Sequence, residues 1–150
     1  MYLTKIKYNG ERVIIEAQTL DDESKLSVIC DSKDQPEFEF TDALDNLRKV
    51  FLDILEMPTT KADQKKLTVH TINFSYKGTD RIPHVILSAN FHLSNNQSYN
   101  VNTPIRTLES VDVESSLLLN ADARQAIETM KSRATEYLNG KRSQLNLFAA

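Results

Sequence analysis

The chain predicts an α+β fold: a mostly antiparallel sheet of about six strands with two helices, in the order βββα-βββα. Three observations carry this reading. Several short runs alternate apolar and polar residues with period two, and two longer segments space their apolar residues as a helix does. The connections between neighbouring strands are short, which makes them antiparallel, since parallel pairing requires a long crossover.

The first element is a hairpin. Asn9-Gly10 is a strong turn signal, because a type I′ turn needs positive φ at both central positions. That turn pairs Tyr8 with Glu11, Ile6 with Val13, Thr4 with Ile15 and Tyr2 with Ala17. Tyr2, Ile6, Val13, Ile15 and Ala17 then share the core face, and Lys5, Lys7 and Glu16 the other. A third strand over 26–30 points Leu26, Val28 and Cys30 the same way. After Pro36 a helix is expected over about 42–56, with Thr41 as N-cap and Phe40 stapled onto its first turn. Leu44, Leu47, Phe51, Leu52, Ile54 and Leu55 form its apolar face, and Pro58 stops it. Residues 59–66 are polar and expected as a loop.

Three alternating strands come next. His70, Ile72, Phe74 and Tyr76 share a face, as do Val85, Leu87, Ala89, Phe91 and Leu93; after a turn at 94–97, Tyr99, Val101 and Thr103 follow, and Pro104 ends the run. Residues 105–119 are the least legible stretch. A second helix starts near Asn120, with Ala123, Ala126, Ile127, Met130, Ala134, Tyr137 and Leu138 as one stripe. Asn139-Gly140 stops it. The organisation is one domain over 1–140 and a C-terminal peptide tail over 141–150.

A length of 150 residues, 40% of them hydrophobic and 26% charged, suits a single folded domain with a real core. The net charge of −3 disfavours tight direct DNA binding, which depends on neutralising phosphates. Lys61, Lys65 and Lys66 are the one basic cluster, placed in the polar loop. Cys30 is the lone cysteine, so no internal disulfide forms. No segment approaches the roughly 20 apolar residues that span a bilayer, and residues 1–7 lack the apolar run of a signal peptide. A reducing cytoplasm and no membrane contact are expected.

Catalytic constellations are not found. His70, His84 and His92 have no partner at metal-ligand spacing, so no metal site is assigned. His70 is expected on the Ile72 side, His92 away from Phe91, and His84 in a loop after Pro83. Cys30 reads as a small core residue. Asp21, Asp22, Glu23, Asp31 and Asp34 lie in polar segments, whereas two-metal sites need carboxylates converging from rigid elements. Three glycines, Gly10, Gly78 and Gly140, cannot write a phosphate-binding loop. The expectation is a non-enzymatic protein with no catalytic residues and no cofactor.

The last residues stand apart. Gln144-Leu145-Asn146-Leu147-Phe148 follows the helix stop, and apolar residues so placed either pack back on the domain or bind something. A Gln-Leu-x-Leu-Phe string is expected by chance in a chain this long on the order of once in a thousand. It resembles the pentapeptide by which bacterial polymerases and mismatch-repair proteins dock on the replication sliding clamp. That resemblance implies polar contacts from Gln144 at the cleft rim, a shallow site for Leu145, and the deep pocket for Leu147 and Phe148. Asn146 is a small polar residue at the variable position, though not the commonest one. Pro36-x-Phe38, Leu55-x-Met57-Pro58, Val101-Asn102-Thr103-Pro104 and Tyr137-x-x-Gly140-Lys141-Arg142 resemble a family of small phage and prophage early-region proteins. The resemblance implies a setting in DNA metabolism and supplies no catalytic residues. Two functions are therefore expected: an accessory protein of phage or bacterial replication or recombination docked on the clamp, or a phage protein that inhibits or sequesters a host factor. Oligomeric state is open.

Overall fold

A computed structural model describes residues 2–19, 26–109 and 115–143. Strands β1 (Tyr2–Tyr8), β2 (Val13–Gln18) and β3 (Ser27–Ser32) come first. Helices α1 (Phe38–Asp45), α2 (Leu47–Ile54) and the single-turn α3 (Lys61–Lys65) follow. Then come β4 (Leu67–Lys77), β5 (Ile82–His92), β6 (Ser98–Asn102), a short β7 (Arg106–Thr107), a 3-10 turn (Ser115–Leu117) and α4 (Ala121–Leu138). The sheet order is β3-β2-β1-β4-β5-β6, with β7 pairing β5 off this path. All these pairs are antiparallel, as expected from the short connections.

One cross-sheet row shows why the fold holds. Cys30, Ile15, Ile6, Ile72 and Leu87 stand opposite one another on successive strands, so they share a face. The four aliphatic members are essentially solvent-free. Leu44, Leu47, Phe51 and Leu52 from α1 and α2, and Ile127, Met130, Ala134 and Tyr137 from α4, complete the same core. Both helical segments thus cover one face of the sheet. The α4 stripe and its boundaries follow the periodicity: the Asn120 side chain accepts from the Ala123 N–H at 2.8 Å, and Gly140 takes φ +100°.

Several local expectations are corrected. The first hairpin pairs Tyr8 with Val13 and Ile6 with Ile15, so its loop has four residues rather than two. Asn9 causes this: its side-chain oxygen accepts from the Glu11 and Arg12 N–H groups, both at 2.9 Å, and closes a wider turn. A slip of two residues leaves every side chain on its expected face. A bulge between Leu3 and Lys5 then reverses the phase, so Leu3 is buried and Tyr2 exposed. A second bulge, between Val69 and Thr71, lets Leu67 and Val69 join Ile72 and Phe74 in the core.

The first helix begins at Phe38 rather than near Asp42, and it divides at Asn46. Thr41 is therefore no cap; its hydroxyl donates back to the Phe38 carbonyl inside the first turn, at 3.0 Å. Residues 61–65 form a helical turn rather than loop, because Thr60 caps it by accepting from the Asp63 N–H. Leu26, Val28 and Leu93 are exposed instead of buried. Val28 stands opposite buried Ala17 and so does face the core side, but the described helices do not cover this end of the sheet.

Candidate functional site

Residues 141–143 form a docked segment, built from the end of α4 outward. The turn after α4 closes with two backbone bonds: Gly140 N–H donates to the Tyr137 carbonyl, and Lys141 N–H to the Glu136 carbonyl. This pairing requires positive φ at Gly140 and swings the chain back toward the β3–α1 connection. There Arg142 is gripped from several sides. Its guanidinium meets the Asp34 carboxylate at 2.8 Å and lies over the Tyr137 ring at 4.1 Å from the centroid. It also donates to Ser32 Oγ at 3.3 Å and lies 3.9 Å from Cys30 Sγ. Tyr137 is itself fixed, its hydroxyl donating to the Asp34 carbonyl at 2.6 Å; burial, the largest influence, raises its pKa.

Lys141 pairs with Glu37 at 3.7 Å and Glu136 at 3.6 Å. The hydrogen bond from Arg133 leads the influences that lower the Glu136 pKa. Finally, Ser143 N–H donates to the Gln35 carbonyl at 2.8 Å. The chain is thus held to the domain through the residue immediately before Gln144. The sequence-derived site residues Gln144, Leu145, Leu147 and Phe148 lie outside the described residues.

Beside this anchor the surface is apolar. Phe38, one residue after the Lys141 partner Glu37, is 75% exposed at the start of α1. On β3, Leu26, Val28 and Ile29 are 61%, 42% and 66% exposed. β3 is also the terminal strand of the sheet order, paired only with β2 among the described residues. The alternation that flags Val28 as a core residue could not reveal that it stays exposed.

The other candidate residues do not converge. His70 bridges Thr71 Oγ1 at 2.6 Å and Asn100 Oδ1 at 2.7 Å, and His92 lies 2.7 Å from Thr68 Oγ1. His84 lies within β5 rather than a loop, with Nδ1 2.9 Å from the Ile82 carbonyl. Cys30 is only partly enclosed, against the core rather than within it. Asp31 pairs with Arg12 at 2.9 Å and Asp34 with Arg142, so both serve structural pairs. Asp21, Asp22 and Glu23 lie outside the described residues. Among the described residues, no group of three His, Cys, Asp or Glu side chains is arranged to hold a metal. No described helix is long and apolar enough to cross a membrane.

One cleft among the described residues, about 450 Å³, is lined by Tyr2, Leu3 and Tyr76 on the sheet and by Glu128, Lys131 and Glu136 on α4. Its charges are mutually engaged: Lys131 meets Glu128 at 3.5 Å, and Glu136 meets Arg133 at 2.9 Å. Another, about 280 Å³, lies between the end of α2 and the start of α4. Neither is lined by a histidine. No known family model, curated protein or solved structure matches the chain.

Proposed function

We propose that this is a non-enzymatic accessory protein of phage or bacterial DNA replication or recombination that docks on the sliding clamp through residues 144–148. One observation carries the reading: Gln144-Leu145-Asn146-Leu147-Phe148 directly follows Ser143, which is bonded to the domain through Gln35. The resemblance to the clamp-binding pentapeptide supplies the roles: polar rim contacts from Gln144, apolar anchors from Leu145, Leu147 and Phe148. A short segment with two or three apolar anchors binds modestly and reversibly, because ordering it offsets part of the burial energy. The anchor at 141–143 supports this reading by fixing the position of the residue that precedes the peptide. The formal charge of −3 is in keeping with recruitment by a protein partner rather than by the phosphate backbone.

The test is binding to purified bacterial sliding clamp by calorimetry or surface capture. The intact chain is expected to bind in the range of about 1–100 μM, and Leu147→Ala/Phe148→Ala to weaken binding at least about tenfold. Equal binding by both chains rejects the peptide as the docking element.

The second reading is a phage protein that inhibits or sequesters a host factor. The exposed apolar side chains of Leu26, Val28 and Ile29 on the terminal strand β3 favour it, since apolar residues at a strand edge suit a protein partner. A host protein that is captured equally by the intact chain and by a chain lacking residues 144–150, and lost on Ile29→Lys, would select this reading.

A further inference from the structure

The register of β3 fixes which of its backbone groups are open. Thr19 N–H donates to the Leu26 carbonyl at 2.9 Å, continuing the pairing that runs from Val13 with Ser32 to Gln18 with Ser27. Antiparallel ladders alternate bonded and non-bonded pairs, so residues 26, 28, 30 and 32 aim N–H and C=O at β2. Ser27, Ile29 and Asp31 aim theirs at the other side, where no backbone bond meets them among the described residues.

Edge strands are commonly guarded by a lysine, a proline or a bulge. β3 has none of these over Ser27–Ser32, and its pairing with β2 shows no register shift. Its one charge, Asp31, is engaged by Arg12 at 2.9 Å. Val28 on the core side and Ile29 on the outer side are both exposed beside the open groups. An edge so built accepts a further strand.

The strand is complementary to itself. A two-fold axis beside Ile29 sets Ile29 against Ile29, Ser27 against Asp31 and Val28 against Cys30 in a second copy. Every open N–H and C=O of Ser27, Ile29 and Asp31 is then bonded. The Ile29 side chains cover each other, Cys30 covers Val28, and each Asp31 faces a serine. An axis at Asp31 would oppose two carboxylates. An axis at Val28 or Cys30 carries one of the open residues past the end of the other strand. Only the axis at Ile29 pairs all three.

We propose that the protein pairs with a second copy of itself, β3 antiparallel to β3 and centred on Ile29, joining the two sheets into one. The pairing does not involve residues 144–148, so its test is separate from that of clamp docking.

Sedimentation of the full chain reads the association. The mass is expected to pass from monomer to dimer across about 1–100 μM, the range of a weak interface. Ile29→Lys should weaken the dimer at least about tenfold, because it sets two ammonium groups against each other. Ile29→Pro should do the same, since the lost N–H faces only the open side and the β2 ladder keeps its bonds. A cooperative thermal transition verifies the fold of each variant. A monomeric mass through about 1 mM overturns the proposal, as does a dimer that Ile29→Lys leaves intact.

Val28→Cys under mild oxidation reads the register. Directly opposed residues of a non-hydrogen-bonded pair have Cα atoms about 4.5 Å apart, within disulfide reach. The introduced thiol is expected to join Cys30 of the second copy, giving a dimeric mass without reductant and a crosslinked peptide on mapping. Crosslinks only between like positions, or none in a dimeric chain, overturn the pairing.

Discussion

Arg142 shows how much one side chain can organise when its partners come from distant parts of the chain. Asp34 and Ser32 precede it by about a hundred positions, yet they meet its guanidinium from one side while the Tyr137 ring supports it from another. A partly exposed ion pair contributes little by itself, typically below about 1 kcal/mol, and the ring contact adds a comparable amount. Arg142→Ala is therefore expected to cost about 1–2 kcal/mol in urea denaturation, and Arg142→Lys to recover only part of that, since an ammonium cannot stack and fork together. A loss below a few tenths of a kcal/mol would mean that the backbone bonds of 140–143 hold the segment unaided. The identity of Arg142 was visible beside Gly140 in the sequence. Its partners were not, because no local pattern links positions 34 and 142.

The two ends of α4 and the division of the first helix make an instructive pair. Asn120, the apolar stripe and Gly140 are local signals, and the helix obeys all three. Gly140→Ala leaves room for the added methyl, so its cost comes from the left-handed backbone alone, about 1–2 kcal/mol. Thermal unfolding should register that loss, and exchange at Lys141 and Ser143 should accelerate as the turn opens. By contrast, Thr41 is a good N-cap residue that the fold does not use. Phe40, Ala43 and Leu44 are all buried when the helix starts at Phe38, so core packing sets the boundary over the capping preference. The bulges in β1 and β4 belong to the same class. Alternation assigns faces within an uninterrupted strand, but one inserted residue reverses everything beyond it.

The assembled domain buries ionisable groups where its layers meet, and Tyr76 is the clearest case. Its hydroxyl donates to the Leu3 carbonyl at 2.8 Å beneath α4, and burial, reinforced by the Glu128 charge, pushes its pKa up to about 12. An unfolded tyrosine titrates near 10, so between pH 10 and 12 the unfolded chain releases a proton that the native state retains. This contribution is fully present below pH 10 and is lost as pH rises through the folded pKa. Denaturation midpoints should fall across pH 10–12, and Tyr76→Phe should flatten that fall while lowering stability at neutral pH through the lost hydrogen bond. A midpoint with equal slope in both proteins would place the alkaline sensitivity elsewhere, with Tyr137 the next group to replace.

The sequence by itself determined the α+β class, the antiparallel pairing, the core-facing residues of α4 and most of those in the strands. Each depends on periodicity, a turn residue or a cap within a few positions. It also carries the 144–148 peptide, whose meaning lies in residue identity rather than in the fold. Only the tertiary structure decided which alternating residues stay uncovered: Val28 follows the same pattern as Ile15 and Ala17 yet stays exposed, whereas Cys30 on the same strand is partly enclosed against the core. It also decided that the chain returns to β3 before Gln144, through contacts between Arg142 and residues of β3 and the loop after it. Coverage and long-range contact depend on where separate elements come to rest, and no local spacing encodes that.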